Sequence, residues 1–275
     1  MNRKKWETFM IWMLYVVGVL ILIYPLVSDL WNKQRQTTAI GTYQKVVNRN
    51  KELDKKLYQQ AQQYNKELYA RGEELYNGKG NFDHYQTQLL FPNSDVMGYI
   101  EIPMINVSLP IYHGTDQAVL QRGVGHMEGT SLPVGGVNTH SVLTGHTGLP
   151  SGGKLLTDLD KVKVGNIFWI QVLDHTLYYQ VDQIKIVKPN DIAPLSIVPG
   201  KDYVTLVTCT PYGINSHRLL VRGKRIPKPK NIQANAQIIS RWVDVLGVVI
   251  LLLIADGIGY WLWYRRKKAR GEKKE

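Results

Sequence analysis

Four textures of apolar and polar positions succeed one another along the chain. Residues 8–28 carry no charged side chain between Glu7 and Asp29. A helix of that length reaches about 30 Å, the thickness of a bilayer's hydrocarbon core. A polar stretch follows to about Tyr76, in which Val46, Leu53, Leu57, Ala61, Tyr64 and Leu68 recur at helical spacing. It predicts one or two amphipathic helices that pack on the domain or stand as a stalk. From Val96 the chain breaks into short β-rich runs divided by Gly, Pro and Asn. The last texture, Val245–Tyr264, is apolar again apart from Asp256.

The β-rich region offers eight strand candidates: Tyr99–Ile102, Val107–Leu109, Ser141–Leu143, Ile167–Val172, Leu177–Val181, Ile184–Val187, Val204–Val207 and Leu219–Val221. Many short strands with few helices imply a sandwich or a barrel. Asn77-Gly-Lys-Gly80 opens a loop running to about Asp95.

Both apolar ends are flanked by basic residues: Arg3, Lys4 and Lys5 before the first, Arg265, Arg266, Lys267, Lys268 and Arg270 after the second. The positive-inside rule keeps both termini cytoplasmic and places residues 32 to about 240 outside. A cleaved signal peptide fits the first run less well, because its apolar core is usually about 7–15 residues and ends at small residues. In the second run Asp256 opposes insertion by about 2.5–3.5 kcal/mol, which the surrounding Leu, Ile and Val outweigh. Of the net charge of +12, residues 1–9 hold +2 and residues 265–275 hold +5. The remaining +5 is an ordinary excess without a basic, aromatic-studded stripe, so a nucleic-acid partner has no support.

Cys209 is the single cysteine in 275 residues. It can form no internal disulfide and falls short of any multi-cysteine metal site, so it is either a small buried hydrophobe or a reactive thiol. It ends the run Tyr203-Val-Thr-Leu-Val-Thr-Cys209 just before Thr210-Pro-Tyr-Gly213, and Arg218 follows at the start of the next strand. A fixed cation near a strand-end thiol favours the nucleophilic thiolate. For a proton acceptor, His146 leads, because it lies past a strand in Thr144-Gly-His-Thr-Gly148. His140 sits at that strand's other end, about 20 Å away if extended. His217 would face away from Arg218, and His84, His113, His126 and His175 fall in turn-like or loop settings that suit structural histidines.

Thr205-Leu-Val-Thr-Cys209, Arg218 and Thr144-Gly-His146 together resemble the catalytic signature of sortases, the cysteine transpeptidases of Gram-positive cell surfaces. Gly98-Tyr-Ile-Glu-Ile-Pro103, Leu109-Pro-Ile-Tyr-His-Gly114, Gly125–Gly136 and Thr208–Asn215 are similar to class C, the pilin-polymerising group. The resemblance implies a mainly β, eight-stranded barrel with N-terminal helices, flanked by two transmembrane helices. The order would be a cytoplasmic N-terminus (1–7), signal anchor (8–31), helical stalk and lid-like loop (32–95), catalytic barrel (96–227), linker (228–244), second span (245–264) and basic cytoplasmic tail (265–275).

It further implies that Cys209 attacks the Thr–Gly bond of a Leu-Pro-X-Thr-Gly-like sorting signal, with His146 moving the proton and Arg218 stabilising the oxyanion or positioning the substrate. A pilin lysine then resolves the thioester into an isopeptide bond. The implied partners are pilin subunits and the membrane, and no metal or organic cofactor is implied. A housekeeping sortase that uses a cell-wall amine and a non-catalytic assembly scaffold are the rival readings. Class C members usually carry a lid with an Asp-Pro pair followed by an aromatic, whereas this chain has Asn81-Phe-Asp-His-Tyr85 and no such pair. Either Asp83 with Phe82 or Tyr85 substitutes, or the plug is absent.

Overall fold

The computed structural model describes residues 3–47, 49, 51–72, 84–91, 94–148 and 155–230, with Gly247 and Gly257. The chain divides into residues 1–233 and residues 234–275. The expected second span and basic tail fall in the latter unit and, those two glycines apart, lie outside the described residues.

Helix α1 runs from Arg3 to Val47 and α2 from Lys51 to Arg71. Gln36, Ile40, Tyr43 and Val47 are buried on α1, and Asp54, Leu57, Ala61, Asn65 and Leu68 on α2. Spacings of three and four put each set on one helical face, which docks on the domain. Polar anchors fix the docking. The Tyr43 hydroxyl donates to Met97 O at 3.0 Å and accepts from Leu173 N at 2.7 Å, while burial raises the pKa of its phenol. Asn65 clamps the Leu132 backbone from both sides, donating to its O at 3.0 Å and accepting from its N at 2.7 Å. These helices are therefore part of the folded body rather than a free stalk. Towards the N-terminus of α1, Ile11, Leu14, Val16, Val17, Leu20 and Ile21 are exposed. Among the described residues no helix is long and apolar enough to cross a membrane.

Eight strands close a barrel: β1 (Val96–Ile102), β2 (Val107–His113), β3 (Val124–His126), β4 (Thr139–Thr144), β5 (Ile167–Val172), β6 (His175–Val187), β7 (Asp202–Thr210) and β8 (His217–Ile226). A short helix, α3 (Gln117–Leu120), lies between β2 and β3. The order around the barrel is β1-β2-β3-β4-β7-β8-β6-β5. Pairs β2–β3 and β4–β7 are parallel and the rest antiparallel. A parallel pair needs a crossover, and β5 and β6 supply it between β4 and β7.

The strand count matches the expectation, but its membership does not. Leu177–Val181 and Ile184–Val187 are one strand, β6, bent by a register shift between Val181 and Gln183. An extra residue kinks a strand and weakens its alternation, which makes one strand look like two. The eighth is β3, whose three residues carry too little pattern to be seen.

The interior holds Ile100, Ile111, Leu143, Phe168, Val204, Leu206 and Val221, among others. A second cluster, Val142, Leu195, Val207 and Leu220, covers the outer face of β4, β7 and β8. Strand β7 is thus buried on both faces, so its sequence is a nearly continuous apolar and threonine run rather than an alternating one.

Candidate active site

In the parallel β4–β7 pair, Thr144 stands opposite Val207. Two residues further along each chain are His146 and Cys209. Strand alternation gives Cys209 the outer-face orientation of Val207. In the antiparallel β7–β8 pair Cys209 is directly opposite Arg218. Gly145 N donates to Val207 O at 3.0 Å, so Val207 turns its peptide groups towards β4, and so does Cys209 two residues on. Cys209 and Arg218 are then a non-hydrogen-bonded pair with respect to β8, the geometry in which facing side chains are closest. Of the three sequence-predicted residues, Cys209 and Arg218 are register partners, and His146 lies two residues past the end of β4, the strand that pairs with β7.

Each has surroundings suited to chemistry. Cys209 is half-buried. Burial lowers the pKa of His146, and its Nε2 is enclosed without a hydrogen-bond partner. Burial thus favours the neutral imidazole, the form that can accept a proton. The His146 carbonyl accepts from Leu156 N at 3.0 Å. Gly145 permits this turn to sit on the core, because a Cβ there would lie 2.8 Å from Leu156 Cδ1. Arg218 Nη1 donates to Asn215 O at 3.1 Å and His217 O at 3.0 Å. The apolar cluster of Val142, Leu195, Val207 and Leu220 lies on the same face as Cys209.

The other histidines hold structure. His140 is buried, with Nδ1 2.9 Å from Ser196 O and Nε2 2.7 Å from Thr205 Oγ1, and burial lowers its pKa to about 4. His126 is a buried strand residue rather than a loop histidine, its pKa also lowered to about 4. Its Nε2 donates to Ser131 O at 2.8 Å, which leaves Nδ1 to accept from the Tyr85 hydroxyl at 2.9 Å. His113 ends β2 with Nε2 2.7 Å from Gln88 O.

Of the possible lid residues Phe82, Asp83 and Tyr85, only Tyr85 is among the described residues; Phe82 and Asp83 lie outside them. Tyr85 is fully buried, and its hydroxyl also accepts from Gly114 N at 3.0 Å. These bonds anchor its segment to the end of β2 and to β3. Sequence reasoning also missed Thr147 and Thr208. Thr147 Oγ1 lies 2.6 Å from Cys209 O, and Thr208 Oγ1 lies 2.8 Å from Gly145 O. A hydroxyl next to each of His146 and Cys209 was the available signal.

A closed barrel with a half-buried thiol opposite an arginine at adjoining strand ends is the arrangement to be compared with known cysteine enzymes. Residues 100–226 match the Sortase domain family. Sortase C1 from Streptococcus agalactiae is 49% identical, with 70% of this chain and 100% of that chain covered and a TM-score of 0.66. Sortase C from Streptococcus pneumoniae is 46% identical, with coverages of 69% and 96% and a TM-score of 0.61. Sortase A of Streptococcus agalactiae is 32% identical over 43% of this chain, which spans about half of that relative's length (48%). The chain belongs to the sortases, the cysteine transpeptidases, and the solved structures it resembles here are of the C class.

Proposed function

We propose that this sortase builds covalent pili. Neutral His146 takes the proton of Cys209, and the thiolate attacks the Thr carbonyl of a Leu-Pro-X-Thr-Gly-like signal. Arg218 donates to the developing oxyanion, where a well-placed donor is worth about 10²–10³ in turnover. The imidazolium then protonates the departing glycine amine as the C–N bond breaks, leaving a thioester on Cys209. A lysine amine of another pilin attacks the thioester, gives up its proton to His146 and forms the isopeptide bond as the thiolate leaves.

One observation carries this reading: Cys209 stands opposite Arg218 in register, and His146 lies two residues past the end of β4, the strand that pairs with β7. The class C resemblance supports pilins as substrates, and the solved Streptococcus pneumoniae enzyme is described in terms of pilin substrate specificity. The charge-free run 8–28, the run 245–264 and their basic flanks support a two-pass anchor in a Gram-positive membrane with the barrel outside.

The test incubates the full chain with a pilin bearing the sorting signal. We expect sodium dodecyl sulfate-resistant ladders whose linkage maps by mass spectrometry to a lysine and the signal's threonine. Cys209→Ala changes little volume and should leave the fold intact while abolishing both cleavage and ladders. Ladders formed by the alanine variant would rule out the acyl-enzyme.

A further inference from the structure

Strand β4 stops at Thr144, while β7 continues to Thr210. The last main-chain bond between them is Gly145 N to Val207 O. A parallel ladder would next join Cys209 N to Gly145 O and Thr147 N to Cys209 O. Threonine hydroxyls meet both acceptors: Thr208 Oγ1 lies 2.8 Å from Gly145 O, and Thr147 Oγ1 lies 2.6 Å from Cys209 O. The two hydroxyl oxygens also lie 2.5 Å apart. Each hydroxyl has one proton, so one proton bridges the two oxygens and the other goes to a carbonyl, making the pair a short chain that links Gly145 O and Cys209 O.

We infer that Thr147 and Thr208 are positioning residues: they continue the β4–β7 ladder with side chains and so hold His146 abreast of Cys209 across the gap where the main-chain ladder ends. The inference rests on the transpeptidase reading of this site. Alternation places Thr208 on the barrel-interior side, with Leu206 and Val204, and Cys209 on the outer side. Thr147 meets Thr208 on that interior side. The clamp therefore fastens the two reacting residues from behind and leaves the groove open. Thr208 is almost wholly buried, so its bond is shielded from competing water. With either hydroxyl gone, the chain between the two carbonyls is cut, and the Gly145–Thr147 turn is freed to shift. Displacement of a reacting group by about 1 Å costs on the order of 10²-fold in rate.

The test compares Thr147→Val, Thr147→Ser and Thr208→Val with the parent full chain. Turnover on a sorting-signal peptide, melting temperature and the pH profile of Cys209 alkylation by iodoacetamide are measured for each. Thr147→Val, close in shape, should lower kcat about 10- to 100-fold with KM changed less than about twofold, and should move the pH midpoint of alkylation as His146 leaves the thiol. Thr147→Ser keeps the donor and should restore both. The Thr147→Val/Thr208→Val double variant should lose less than the product of the single losses, because the two hydroxyls serve one joint. A Thr147→Val enzyme with parental kcat overturns the inference, and so does a lowered kcat with an unmoved alkylation midpoint. If the parent itself forms no product, the transpeptidase reading fails, and the alkylation profiles alone still decide whether the clamp sets the His146–Cys209 relation.

Discussion

The outer face of β4, β7 and β8 has two ends built from the same residue types and put to opposite uses. At one end His140 has both ring nitrogens engaged. Arg222 there grips Asp182 through Nε and Nη2, each at 3.0 Å, and its guanidinium lies 4.1 Å from the Tyr203 ring centre. At the other end His146 has an enclosed Nε2 with no partner. Arg218 has only Nη1 tied to backbone carbonyls, and Cys209 lies beside it. Satisfied polar groups rigidify a fold, whereas an unsatisfied one keeps free energy available for a substrate or a proton. The contrast teaches that residue type says little about role here, and the inventory of partners says much.

The largest break of this contrast exchanges the fates of the histidines. His146→Ala should lower turnover by about 10³–10⁴-fold, toward the upper end of general acid–base effects, with the melting temperature nearly unchanged. His140→Ala should keep most turnover per folded molecule but lose on the order of 2–4 kcal/mol of stability, because Thr205 and Ser196 lose a buried partner and a cavity opens. Peptide turnover and thermal melts on both variants decide it, and equal kinetic losses would erase the contrast.

The arginines give the next effect. Arg218→Lys should cost about 10²–10³ in turnover, because an ammonium cannot present the planar fork of a guanidinium. Arg222→Lys should mainly lower the melting temperature, since its bidentate pairing with Asp182 and stacking on Tyr203 serve the fold. Gly145→Ala comes third. Its Cβ would press on buried Leu156, which predicts a stability loss of about 1–3 kcal/mol and a fall in turnover on the order of tenfold, read from the same two assays.

Acid sharpens the comparison with the smallest effect. His140 and His126 titrate near 4 when folded against about 6.5 when unfolded. The unfolded chain therefore binds more protons across that window, so the stability these groups confer is full above about pH 6.5 and is lost as pH falls towards 4. The melting temperature should drop between pH 7 and pH 5, and the drop should shrink in His140→Gln. His146 is also lowered by burial, so the acid limb of kcat/KM should fall below about pH 6.5.

Much of this was readable before any coordinates. A lone cysteine closing a Tyr203–Cys209 run, an arginine at the start of the next strand and a histidine between glycines are local patterns. The separation of His140 from His146 also followed from strand length alone. Other features were beyond the sequence because their cause is long-range. Strand β3 exists because β2 and β4 flank it, and its three residues have no periodicity of their own. Strand β6 looked like two because a bulge hides its continuity. Tyr85 looked like a lid residue beside Phe82 and Asp83, but its burial is set by His126 and Gly114, which are distant in sequence.

The sequence by itself singled out Cys209, His146 and Arg218 as the candidate nucleophile, base and cation, since that choice depends on residue type and on neighbours within a few positions. Only the tertiary structure decided that Cys209 faces Arg218 in register, that Thr147 and Thr208 meet beside Gly145 and Cys209, and that His140 and His126 are struts. Those outcomes depend on which strands pair and in what register, and on which polar atoms find partners once water is excluded.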